Sequence, residues 1–406
     1  MNIIFIEPSF PYNQREFVRG LHAAGANIIG IGERPTDYLS GEMKGWLSEY
    51  IQISSVVNES ALLKAVKLVQ SKVWVDRLEA TVEAHIMAAA RVREATGIPG
   101  TSVHTAFLCR DKPAMKEALR KAGISCAQST RAESPQDARD FADAVGYPLI
   151  IKPPDGAGAS GTYRVSIGEE LEEVIKESGL ADGHAVAVEE FIEGHEGYID
   201  TLTIKGEVCH EFITHYYPGV LEAMRKRWIS PQMVTTNRIE EAGYSDVRKM
   251  TRDVIRILDI GTSATHMEWF YGPKGLKFSE IGCRPPGVGQ WDVYNAANDF
   301  DLYFEWASAL THGRPQQQPS RRYAAGMIAL RPDRDGRITG YSGAERIQNR
   351  YSEHIVAGKL PEVGTPTQPV EGGYMANAWL RVRHPNYDRL REILDDIGQT
   401  LKVHAG

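Results

Sequence analysis

Cysteine is scarce in this 406-residue chain: Cys109, Cys126, Cys209 and Cys283 stand far apart, with no Cys-x-x-Cys pair among them. That argues against a disulfide or zinc framework and fits reduced thiols in a cytoplasm. The 12 histidines include no His-Glu-x-x-His, so a zinc hydrolase has no anchor. Positive charge is in deficit, 46 Lys+Arg against 53 Asp+Glu. With a net charge of -7, neither nucleic acid nor an anionic membrane is an expected partner. Long apolar runs are missing too. The opening MNIIFIEPSF meets Glu7 early and has no basic lead, so it reads as a buried strand rather than a signal peptide or a membrane span. No Gly-x-Gly-x-x-Gly follows that strand, because EPSFPYN takes the turn, and a dinucleotide site lacks its fingerprint. Nothing repeats with a period of about 20 to 50 residues, which excludes a solenoid. A Met-Lys-Met biotin site is also missing, which excludes a fused carrier but not a separate one.

What is present predicts a mixed fold, α/β at the front and α+β behind it. NIIFIE and ANIIGIG are short apolar runs, and NQREFVRGLHAAG between them has helical spacing and a terminal Gly25. That βαβ unit, continued through the Ala-rich TVEAHIMAAARVREATG, predicts a small doubly wound parallel-sheet domain over residues 1–110. RDKPAMKEALRKAGI opens a new unit, with Asp111 and Pro113 as start signals and Gly123 as the stop. ESPQDARDFADAVGYP repeats the pattern with Ser134 as cap. Strand signals at 148–152, 185–192, 198–204 and 207–213 with short turns make the middle largely antiparallel. The expected divisions are a smaller lobe over 111–192 with a glycine-rich lid, a larger lobe over 193–315, and a C-terminal α+β section over 316–406.

Three segments carry chemistry. In YPLIIKPPDGAGASGTYRV, Lys152 precedes the glycines, whereas a P-loop lysine follows them. A lysine ending a strand, under a Gly/Ala/Ser hairpin whose backbone N–H groups close from above, suits phosphates. A solvated surface turn accounts for the segment equally well. AVAVEEFIEGHEGYID delivers Glu189, Glu190, Ile192 and Glu196, enough for an apolar adenine slot and a ribose carboxylate, or for an exposed acidic strand end. THMEWFYGPKGLKFSEIGCRPPG reads as a hairpin. If its register centres on Lys274, Glu268 faces Glu280. Opposed carboxylates repel unless a hard cation sits between them; alternatively one faces solvent and the other a surface ion pair. Arg284, before a rigid Pro-Pro-Gly turn, is a fixed guanidinium for a developing phosphate charge.

Taken in order, these residues resemble the ATP-grasp superfamily of the carboxylate-amine ligase type, the group of L-amino-acid ligases, biotin carboxylase and D-Ala-D-Ala ligase, over residues 1 to about 310. The resemblance implies ATP and Mg²⁺ (or Mn²⁺) as cofactors. It assigns Lys112 and Lys152 to the phosphates, Gly158, Ser160 and Gly161 to the lid, Glu189, Glu190 and Ile192 to adenine, Glu196 to ribose, and Glu268 and Glu280 to the metal, with Arg284 and Lys152 catalytic. One position departs: the asparagine usual in the Glu-[Ile/Val]-Asn-x-Arg motif is Gly282 here. The implied reaction transfers the γ-phosphoryl group to a carboxylate, and an amine then attacks the acyl phosphate, releasing ADP and phosphate. A bicarbonate- or formate-using enzyme, resembling biotin carboxylase or the purine-pathway members, is the alternative, and a nucleotide-binding module without turnover is a third reading. Partners are then small-molecule carboxylates and amines, with a homodimer among the assemblies allowed. Arg225, Arg227 and His266 are candidate substrate contacts, against a solvated basic loop and a structural histidine.

Overall fold

The computed structural model describes residues 1–155, 161–287, 289–370 and 374–406. Its first 110 residues form a four-stranded parallel sheet, ordered Glu49–Gln52, Asn27–Gly32, Asn2–Ile6, Arg77–Glu79. Side chains alternate across a strand, so Ile3, Phe5 and Ile28 pack on one face with Phe17 and Leu21. Ile4, Ile6 and Ile29 pack on the other with Leu62, Val66 and Val92. Burial on both faces is what uninterrupted apolar strands signal.

A second sheet is antiparallel and ordered Ser129–Ala132, Val186–Glu190, Leu149–Lys152, Tyr163–Val165. Helices Pro135–Val145 and Gly168–Glu177 cover it. Ser134 caps the first of these through Asp137 N, and Asp137 closes the reciprocal bond.

The largest sheet has eight antiparallel strands, with Gly275–Gly282 and Ser263–Gly272 at one edge, then His195–Ile204, Glu207–Tyr217 and Gln232–Thr235. The chain beyond 316 both extends this sheet and covers part of it, with helices Ala344–Tyr351 and Tyr387–Thr400 and a two-stranded sheet of Ile338–Ser342 and Lys402–Ala405 packed on it. Ala324–Leu330 pairs directly with Gln232–Thr235, and Ala378–His384 and Ile355–Lys359 complete the same sheet. The two antiparallel sheets meet where Phe278 N donates to Ser125 O at 2.8 Å. Among the described residues, no helix is long and apolar enough to cross a membrane.

The parallel sheet is locked to the rest through helix Gln14–Ala23, which crosses helix Leu302–His312. The Phe17 ring lies 5.0 to 5.2 Å from those of Trp291, Tyr303 and Trp306. Gly20 allows this approach, since a Cβ there would sit 2.5 Å from Tyr303 O. Backbone cannot yield as a side chain can, so Gly20→Ala should lower unfolding stability in urea by about 1–3 kcal/mol. Gly45→Ala, in helix Gly41–Trp46 where a Cβ meets nothing within 4 Å, should be neutral or slightly stabilising.

Candidate active site

Helix Lys112–Lys121 starts on Asp111, whose side chain accepts Ala114 N at 3.0 Å, with Pro113 in the first turn. Residues four apart share a helix face, so Lys112 and Lys116 point the same way. Lys116 Nζ lies 2.7 Å from Glu189 Oε2, and Lys152 Nζ lies 2.9 Å from the same oxygen. Lys112 Nζ lies 3.3 Å from Glu280 Oε2. The other Glu189 oxygen, Oε1, is buried without a hydrogen-bond partner among the described residues.

Burial would raise the Glu189 carboxyl, but the two ammonium groups hold it at about 2. Burial dominates at Lys116 and lowers it to about 8 despite Glu189. Lys152 is desolvated too, yet Glu189 and Glu280 raise it above its ordinary value. Glu280 is held below the usual carboxylate range, since Lys112, Lys152 and Lys116 outweigh its burial.

The hairpin pairs Glu268 directly with Glu280. The register differs in detail from one centred on Lys274. A two-residue turn, Pro273–Lys274, closes on Gly272 and Gly275, and Trp269 meets Phe278. A bulge at Ser279 then shifts the ladder by one residue and brings the carboxylates face to face. Two pairs further along, on the same face, His266 faces Gly282. His266 Nδ1 lies 2.6 Å from Asp200 Oδ1, and Nε2 lies 3.6 Å from Glu268 Oε1. Burial lowers the imidazole, but Asp200 and Glu268 bring it up to about 9. Tyr294 OH donates to the second Asp200 oxygen.

These groups line one cleft of about 760 Å³ between the two antiparallel sheets. Of the residues singled out in the sequence, Lys112, Lys152, Glu189, Glu190, Ile192, Glu196, Arg225, His266, Glu268, Glu280 and Arg284 all line it. One end is apolar, with Ile150, Phe191, Ile192, Phe270 and Phe278, and the Arg164 guanidinium lies 4.4 Å over the Phe191 ring. Glu190 accepts Gln128 N at 3.2 Å and pairs with Lys274. Glu196 accepts Val220 N at 2.6 Å, and burial, then the Glu268 charge, pushes it up to about 8. Gly161 sits at φ 65° against Pro153, next to Thr162, which lines the cleft. Gly158 and Ser160 lie outside the described residues.

Arg227 is not brought into the cleft. Its guanidinium pairs with Asp335, so of the two arginines expected near substrate only Arg225 lines the site. Lys116 was missed, although its spacing from Lys112 carried the signal. Tyr216, Met233 and Tyr374, which wall the far end, and Glu83, which bonds Arg284, had no local signature.

Residues 117–299 match the ATP-grasp domain family. The chain carries an ATP-grasp domain. It is 26% identical over 249 residues to the L-arginine-specific L-amino acid ligase of Bacillus subtilis, which covers 60% of this chain and 59% of that protein. The match thus spans under two thirds of that relative's length. Among solved structures, it resembles an L-amino acid ligase from Bacillus licheniformis with a TM-score of 0.78 at 17% identity, covering 100% of this chain and 98% of that one. It resembles N5-carboxyaminoimidazole ribonucleotide synthetase from Thermotoga maritima with a TM-score of 0.70 at 17% identity, covering 100% and 99%. At these identities the likeness concerns the ATP-grasp fold.

The depressed Glu189 carboxyl predicts a pH effect on the ATP-grasp domain. A folded value of about 2 against an ordinary 4.5 means that the unfolded chain binds the extra proton between those limits. Stability from this group is full above about 4.5 and is lost as pH falls towards 2, roughly 3 kcal/mol in all. Urea unfolding between pH 5 and 3 should therefore show a shallower pH slope in Glu189→Gln than in the wild type. Identical slopes would refute the burial of this charge between Lys116 and Lys152.

Proposed function

We propose that the protein is an ADP-forming ligase that joins a carboxylate to an amine, making an amide or peptide-type bond through an acyl phosphate. The observation that carries this reading is the direct pairing of Glu268 with Glu280 opposite three lysines in one cleft. Two carboxylates so placed suit a hard divalent cation, and no group of three or more His, Cys, Asp or Glu closes a cage by itself among the described residues. A site of that kind suits Mg²⁺ or Mn²⁺ that completes its shell with phosphate oxygens and water; bound there, the ion would neutralise phosphate charge. The likeness to the L-amino acid ligases adds support.

On this reading the apolar end from Ile150 to Phe278 takes adenine, beside Glu189, Glu190 and Ile192, and Glu196 takes the ribose hydroxyls. Lys112, Lys152 and Lys116 hold the phosphates, and Gly158, Ser160 and Gly161 keep the nucleotide-binding role that the resemblance gives them. Arg225 and His266 stand where an acceptor would lie. The acceptor carboxylate forms a bond to the γ-phosphorus as the β–γ bridge breaks and ADP leaves. The amine then bonds the acyl carbon, phosphate departs, and the amine sheds a proton. Arg284 and the lysines offset charge where two anions meet, and exclusion of water protects the acyl phosphate. We assign residues 1–110, 111–192, 193–315 and 316–406 as the working divisions of this enzyme.

Pairs of amino acids offered with Mg²⁺ and ATP should release ADP and phosphate in an amino-acid-dependent manner. Release that follows bicarbonate instead would transfer the protein to the carboxylase-like class. Glu280→Gln should lose ADP formation almost completely while circular dichroism shows the fold intact, and unaltered turnover would sink the metal assignment.

A further inference from the structure

Arg284 is tethered from outside its own lobe. Its Nε lies 2.5 Å from Glu83 Oε2, across 201 residues of sequence, and its Nη1 donates to Pro285 O at 2.8 Å. Glu83 opens the short turn Glu83–His85 that follows the last strand of the parallel sheet. It is itself fixed by Arg110, whose Nη1 reaches Glu83 O at 2.5 Å and Oε1 at 3.3 Å. Gly282 borders the pair: a Cβ there would stand in ordinary contact, 3.5 Å from both Glu83 Oε2 and Arg284 Cγ, and a larger side chain would reach between them.

We propose that Glu83 is a positioning residue for Arg284: it grips the guanidinium by Nε, and so leaves Nη2 for the cleft. The alternatives open to the arginine make this tether consequential. Glu280 and Asp200 both act on the Arg284 charge, and Glu280 faces the cleft. An untethered guanidinium would collapse onto these carboxylates, cancelling charge that a bound phosphate needs and occupying the oxygens opposite the lysines. Glu83 wins by geometry. It sits at hydrogen-bond distance, with both partners largely sheltered, the side chains being 24% and 18% exposed. Lys112 lies two residues beyond Arg110, so the residue that fixes Glu83 immediately precedes the cap of the lysine helix.

The inference rests on the phosphate role given to Arg284 above, and its test needs no acceptor substrate. Calorimetry in Mg²⁺ would give the dissociation constants of ADP and of a non-hydrolysable ATP analogue, whose ratio isolates the γ-phosphate. Arg284→Ala should shrink that ratio about 10-fold. Glu83→Gln should shrink it several-fold while leaving the ADP constant unchanged, and adding it to Arg284→Ala should do nothing more. Gly282→Val, which intrudes between the pair and deletes no charge, should act like Glu83→Gln and serves if the latter fails to fold. A wild-type ratio in Glu83→Gln or in folded Gly282→Val, or losses that simply add to those of Arg284→Ala, would overturn the proposal. Failure of every amino-acid pair to release ADP would remove the ligase reading and leave this result standing.

Discussion

Three ammonium groups crowd one desolvated cleft, and only intervening carboxylates make that arrangement stable. Glu189 meets Lys116 and Lys152 through a single oxygen, and Glu280 meets Lys112. Removing one partner from such a cluster leaves a buried charge uncompensated, which costs far more than the pair contributes. Much of the local architecture follows from this constraint. The lysine helix must start at Asp111, the Leu149–Lys152 strand must end beside Val186–Glu190, and the hairpin carrying Glu280 must reach across to both. The Phe278 to Ser125 bond between the sheets fixes that last distance.

The same cluster accounts for why cationic groups can wait for a polyanion without repelling one another. Among the described residues Glu189 keeps one oxygen unpaired, and Glu268 and Glu280 oppose each other across the hairpin. Each is a deficit that a nucleotide with its metal would offset on the proposed reading. Held in place beforehand, charges need not reorganise when phosphate arrives, which is where electrostatic stabilisation is most effective.

What could be read from the residues alone was whatever depended on near neighbours. The parallel sheet followed from its apolar runs, and Lys152 from its place at the end of one. The Glu268–Glu280 pair was legible although the bulge at Ser279 was not: the turn is one residue shorter than a centre on Lys274 implies, and the bulge restores the difference. Lys116 escaped because KPAMKEALRK also carries a solvated lysine, Lys121, and only the fold decides which face is buried. Arg225 and Arg227 are chemically equivalent in sequence, and Asp335, 108 residues from Arg227, separates them. The pairing of Ala324–Leu330 with Gln232–Thr235 likewise has no local signature, since an apolar strand does not specify its neighbour.

Family resemblance and site do not cover the same stretch of chain. The matched residues 117–299 begin after Lys112 and Lys116 and end before Tyr374. Yet the lysines hold Glu189 and Glu280, and Tyr374 walls the cleft with its hydroxyl committed to Pro218 O and Gln232 O at 3.2 and 2.9 Å. Arg331 braces that wall by donating to Ala223 O and Tyr374 O. The ring of Tyr374 and its neighbour Tyr216, 5.1 Å apart, therefore form a rigid apolar face beyond the carboxylates. On the proposed reading the matched core supplies most of the nucleotide's surroundings. On that reading discrimination among acceptors falls to the face where Tyr374, from the C-terminal section, meets Tyr216 of the core. A sheet continuous from Gly275–Gly282 to Ile355–Lys359 ties that face to the hairpin that carries Glu268 and Glu280.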